Sequence, residues 1–132
     1  METCALCGAN TIHEIRNRKI SYREHTTNIQ QPASYCDKCG EAFLSSDDSK
    51  ATEKAIADFK REVDHLLTSE QIKQIRKKHG ITQKEAAELF GGGINAFSKY
   101  ERGEAIQSKS TDILLRLIDQ QKVRVQDIRA IA

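Results

Sequence analysis

The chain is short of most of the features that would place it outside the ordinary globular class. Tryptophan is absent, proline occurs once and aromatic residues make up 5% of the sequence. No apolar run approaches the roughly 18 residues that a membrane span needs, so no membrane association is expected. The opening Met1-Glu2-Thr3-Cys4 carries neither the basic segment nor the apolar stretch of a secretory leader, and the expected localisation is cytoplasmic. Nothing rich in Pro or Gly marks a linker. A nucleophile with a base and an orienting partner, an open metal site and a phosphate-binding loop are also missing, and an enzyme is not expected.

What is present is 132 residues, 38% hydrophobic and 30% charged, enough for one domain or two very small ones. The net charge is a mild +2, but its distribution is uneven. Residues 1 to 64 hold nine Lys and Arg against eleven Asp and Glu, whereas residues 65 to 132 hold twelve against eight. An acidic part therefore precedes a basic one, a polarity that suggests two partners of opposite charge or the ordinary scatter of surface charge.

All four cysteines lie in the first 39 residues, as CALCG (Cys4, Cys7) and CDKCG (Cys36, Cys39). Two C-x-x-C knuckles supply four thiolates, the closed tetrahedral set of a structural zinc ion, one per chain. Gly8 and Gly40 follow the second cysteine of each pair and can take the positive φ that turns backbone N–H groups onto sulfur. Disulfides are unlike a cytosolic chain, and a redox C-x-x-C would occur once, near a βαβ pattern. His13 and His25 are read as surface residues. Between the knuckles, Ile12, Ile20, Tyr22, Ile29 and Tyr35 alternate in part, which suggests short antiparallel strands. A segment with so few large apolar residues needs the metal as its staple.

From Ser45 the pattern turns helical. Ser46, Asp47 and Asp48 give cap and dipole signals, and Ile56, Phe59, Val63 and Leu66 follow at spacings of three and four. Thr68 and Ser69 offer a new cap before Ile72 and Ile75. We place the domain boundary at about residue 66, with domains 1–66 and 67–132.

The stretch TQKEAAELFGGGINAFSKYERG contains three consecutive glycines that suit either a phosphate cradle or a tight turn between helices. A cradle requires a strand before the glycines and Lys-Ser or Lys-Thr after them, and ELFGGGINA has neither. Thr82 and Glu85 form a T-x-x-E capping box that starts a helix at about Gln83. Counted from Gln83, a small residue (Ala87) falls fifth, Gly91 ninth, and Phe97 and Tyr100 fifteenth and eighteenth. This is the spacing of a helix-turn-helix. Gly92 and Gly93 stand where the second helix is capped, and without a Cβ they let the backbone approach a DNA phosphate. Opposite Phe97 and Tyr100 lie Asn95, Ser98, Lys99 and Arg102. Asn95 and Lys99, four apart, are placed to reach base edges in the major groove, Asn suited to adenine and Lys to guanine.

Residues 70 to 119 resemble the lambda-repressor-like (XRE) helix-turn-helix family. That resemblance implies a bundle of about five helices in which Gln83 touches a phosphate and Arg76 pairs with Glu101 structurally. The combination of paired C-x-x-C knuckles with FGGGINAFSKYERG is more specific and resembles the MqsA (YgiT-type) antitoxin family over essentially the whole chain. The fold class implied is an α+β zinc-ribbon-like N-terminal domain followed by an all-α helix-turn-helix domain. The family further implies that the N-terminal domain binds zinc and sequesters a cognate RNA-cleaving (mRNA-interferase) toxin. The C-terminal domain would form a homodimer and bind palindromic operator DNA as a repressor of its own operon. Two departures stand out: Lys99 occupies a base-reading position where a member of the family carries Arg, and EAIQSKST after Gly103 lacks the prolines expected there. The alternative reading is a stand-alone XRE-type transcriptional regulator whose zinc ribbon is structural or sensing.

Overall fold

A computed structural model describes residues 2–132; Met1 lies outside the described residues. Contacts divide the chain into two compact units, residues 1–56 and 57–132, and the dividing point falls within a helix.

The first unit is built on a hairpin. Strand β1 (Ile12–Tyr22) pairs antiparallel with β2 (His25–Tyr35), from Ile12 opposite Tyr35 to Tyr22 opposite His25. The short β3 (Ala42–Phe43) adds to the other edge of β2, giving the order β1-β2-β3. Short strands were expected; each long strand instead has 11 residues. The reason is the connection. Arg23 and Glu24 both adopt left-handed backbone, with φ of 47° and 67°, the two-residue arrangement whose twist matches that of paired strands. Neither residue type announces such a turn.

Helix α1 (Ser46–Val63) begins with a reciprocal cap: Ser45 N–H donates to Asp48 Oδ2 (2.9 Å) and Asp48 N–H donates to Ser45 Oγ (3.1 Å). The same carboxylate meets His13 Nε2 at 2.9 Å. Behind it lies Gln31, only 1% exposed, whose amide donates to the carbonyls of Asp48 and Pro32 and whose oxygen accepts from Thr52 and Arg18. The interior of this unit is therefore polar and fully hydrogen-bonded around Gln31, with Ile29 and Ala33 as its small apolar component.

The second unit holds α2 (Ser69–Lys78), α3 (Gln83–Phe90), α4 (Ala96–Arg102), α5 (Lys109–Asp119) and α6 (Val125–Ile131). Thr68 caps α2 in a complete box with Gln71. Its core gathers Leu67, Ile72, Ile75, Ile81, Ala86, Phe97, Tyr100 and Leu115. Phe97 stacks edge-on against Tyr100 (5.2 Å between centroids) and tilts against Phe90 (5.7 Å).

Arg61, at the end of α1, is fully buried. It donates to Asp58 Oδ1 (2.9 Å), Gln107 Oε1 (2.9 Å) and the carbonyls of Tyr100 (3.0 Å) and Ala105 (2.9 Å). Gln107 in turn donates to Leu67 O and to Asp112, whose carboxylate also receives Leu67 N–H and Arg116. This network clamps the loop after α4, the segment without the prolines that the family resemblance leads one to expect. No described helix is long and apolar enough to cross a membrane.

Candidate metal centre and nucleic-acid interface

The two knuckles fold alike. In each, the glycine donates back to the first cysteine, Gly8 N–H to Cys4 O (3.0 Å) and Gly40 N–H to Cys36 O (2.8 Å), with φ of 75° and 80°. The first cysteine then anchors the next turn, Cys4 N–H to Ala9 O and Cys36 N–H to Glu41 O. The hairpin separates the knuckles by 28 residues in sequence yet returns the chain so that all four Sγ atoms lie within 4.8 Å of one another. Cys4 and Cys39 are 3.6 Å apart at sulfur, and Cys7 and Cys36 are 3.4 Å apart.

Zinc bound to four thiolates at about 2.3 Å places sulfurs about 3.8 Å apart, and the cluster fits that donor set. Its electrostatics point the same way. The Cys4 thiol is lowered to about 6, chiefly by the backbone N–H of Cys7 aimed at its sulfur. Cys36 is lowered in the same manner by Cys39 N–H. The N–H of Glu41 favours the Cys39 thiolate, but desolvation and the crowding of the other sulfurs outweigh it and push Cys39 up to about 12. Four sulfurs this close ionise together only around a cation. Among the described residues the four cysteines form the only grouping of three or more metal-ligating side chains. His13 is engaged with Asp48 instead.

In the helical unit, Thr82 Oγ1 accepts from Glu85 N–H (3.1 Å) and starts α3, leaving Gln83 exposed at the first position. The capping box expected with Glu85 forms only on this side, because the Glu85 carboxylate is taken by Arg129 of α6. Helix α3 ends at Gly91. Gly91, Gly92 and Gly93 all have positive φ, of 81°, 96° and 96°, a sequence of conformations that only glycine adopts without strain. The second helix does not begin at Gly93. A turn closed by Ala96 N–H to Gly93 O (3.1 Å) intervenes, and α4 starts at Ala96 with Asn95 as its cap residue. The Asn95 side chain makes no capping hydrogen bond.

Phe97 and Tyr100 are 0% and 8% exposed, which settles which side of α4 faces inward. Asn95, Lys99, Arg102 and Gly93 are exposed and Ser98 is half-buried. Arg102 leans back to Ser98 O (3.2 Å) and to Glu104 (3.2 Å), so it is partly engaged within the chain. Arg76 and Glu101 are both buried and meet through two parallel hydrogen bonds of 3.0 and 2.8 Å, and Arg76 also donates to Ile81 O. The residues that hold this surface in place include Arg61, which sequence reasoning missed. Nothing local marks it as different from the other arginines; only its partners do.

Comparison with known proteins bears on both sites. The family model for the antitoxin component of the bacterial toxin–antitoxin system, MqsA, matches residues 1–129. Antitoxin MqsA of Escherichia coli (strain K12) is 41% identical over 96 residues, covering 72% of this chain and 73% of that protein. With the cysteine cluster and the glycine-linked helices both inside the matched span, the chain belongs to the MqsA family of antitoxins.

Proposed function

We propose that this antitoxin neutralises an RNA-cleaving toxin through its zinc-bearing residues, up to about residue 66, and represses its own operon through residues 67–132. One structural zinc ion per chain, on Cys4, Cys7, Cys36 and Cys39, holds the first part. In the second, Asn95 and Lys99 read bases in the major groove. Gln83 and the Gly93 backbone meet phosphates, and Ser98 and Arg102 flank the contact. The observation that carries the DNA reading is the burial of Phe97 and Tyr100, which leaves the Asn95 and Lys99 edge of α4 facing solvent. The protein acts in the cytoplasm by binding rather than by catalysis: among the described residues the buried charges, Asp48, Arg61, Arg76, Glu101 and Asp112, are each committed to structural hydrogen bonds.

A homodimer matches two half-sites of a palindromic operator. Ile113 on α5 and Ile131 on α6 remain 46% and 87% exposed and are available to such a contact. Co-expression with a cognate RNA-cleaving toxin is expected to restore the growth that the toxin alone arrests; absence of rescue removes the toxin half of the proposal. For the DNA half, Asn95→Ala is expected to weaken operator binding far more than binding to scrambled duplex, by about 1 to 3 kcal/mol of discrimination. Gln83→Ala is expected to weaken both alike. Equal losses on both duplexes for Asn95→Ala would remove the base-reading role.

A further inference from the structure

One side chain on this surface has no part in the reading above. Ile94, between Gly93 and Asn95, is 72% exposed. It sits in the turn closed by Ala96 N–H to Gly93 O, and the three residues before it are glycines. Ile94 is therefore the first side chain to project between α3 and α4. Its neighbour Asn95 has its amide uncommitted to the helix cap. Together with Lys84, Ala87, Glu88 and Gly93, Ile94 lines a cleft of about 230 Å3.

A β-branched apolar side chain kept in water contributes favourably only when something covers it, and its stiff χ1 means that little freedom is lost when that happens. Among the groups presented in a major groove, the C5-methyl of thymine is the apolar one. We propose that Ile94 is a specificity-determining residue that packs on a thymine methyl beside the base contacted by Asn95. The inference rests on the DNA reading above and extends it from polar to apolar recognition.

The test uses the full-length, zinc-loaded protein and duplexes that it selects from a random pool. Each thymine is then replaced singly by deoxyuridine, which removes the methyl and leaves every hydrogen-bonding edge in place. One thymine per half-site is expected to lose about fourfold in affinity on replacement, the worth of one buried methyl. Ile94→Ser is expected to abolish that sensitivity and Ile94→Val to keep part of it. Both variants are expected to retain the wild-type melting temperature and scrambled-duplex affinity, since Ile94 is exposed. A selected duplex with no methyl-sensitive position, or sensitivity that persists in Ile94→Ser, overturns the role of Ile94 and leaves the DNA reading standing. Failure to select any sequence overturns both. A changed oligomeric state in Ile94→Ser would assign the residue to a contact between copies and likewise overturn the thymine assignment.

Discussion

At Gly92 the backbone φ is +96°, and a Cβ placed there would lie 2.9 Å from Tyr100 Oη and 3.0 Å from Ala96 Cβ. Conformation and space therefore both demand glycine. Gly92→Ala is expected to destabilise the helical unit by about 1 to 3 kcal/mol, read from denaturant unfolding. Gly93→Ala, with the same φ but no atom within 4 Å of its Cβ, is expected to cost less. Equal effects at the two positions would show that the packing against Tyr100 is unimportant. Arg61 is the opposite case, a large side chain with no exposure at all. Arg61→Ala leaves the Ala105 carbonyl and the Gln107 oxygen without their Arg61 donor and takes one of two donors from the Tyr100 carbonyl, which keeps Gly103 N–H. It is expected to cost about 3 to 5 kcal/mol in unfolding free energy. The identities of the glycines and the buried aromatics were legible in the sequence, because their roles follow from spacing along one helix or turn. The role of Arg61 was not, because three of its four partners, Tyr100, Ala105 and Gln107, lie 39 to 46 residues away.

Among the elements, α1 shows how a cap can carry a pH dependence. The Asp48 carboxyl is held below the usual carboxylate range, foremost by Ser45 N–H and then by His13. Folding thus favours the ionised form. The resulting stability is complete above about pH 4, the value in an unfolded chain, and is lost as the pH falls through the lower native value. Acidification is expected to lower the wild-type unfolding midpoint over that range, and Asp48→Asn, already deprived of the charge, is expected to be flatter there. Parallel curves for the two proteins would exclude Asp48 as a source of the dependence. Element starts were read well wherever a side chain caps its own helix, as at Thr68 and Thr82. The start of α4 was misplaced. Three successive left-handed glycines carry the chain beyond the expected cap, and a turn is needed before helical backbone resumes. The strands were longer than expected for a related reason: the turn at Arg23 and Glu24 is enforced by the pairing of its flanks rather than by turn-forming residues.

For the whole molecule, the two units differ in what sustains them. The helical unit has a continuous apolar core, whereas the first unit buries mainly Gln31, Thr11, Ser34, Thr52 and Asp48 beside Cys4, Cys36, Ile29 and Ala33. Polar interiors add little net stability to a fold, so on the proposed reading the first unit is expected to depend on a metal ion held by its cysteine cluster. A strong chelator is expected to abolish amide protection in β1 and β2 while α2 to α5 keep theirs, as hydrogen exchange by residue would show. Retained protection in the strands would mean that the thiol cluster is dispensable. The same treatment, followed by operator binding, tests whether the ribbon senses metal: a structural ion predicts little change in DNA affinity, a sensor a large one.

Sequence alone determined the cysteine pairs, the helix caps at Thr68 and Thr82, the register from Ala87 to Tyr100 and, through their combination, the family. Each of these is local, decided by residues within a turn or a knuckle of one another, where geometry follows directly from residue type. Tertiary structure alone decided that Arg61 is interior, that Glu85 turns to Arg129 and that Ile94 stands exposed beside Asn95. Those outcomes depend on which distant groups compete for the same hydrogen bond or the same space, and that competition is settled only when the chain has closed on itself.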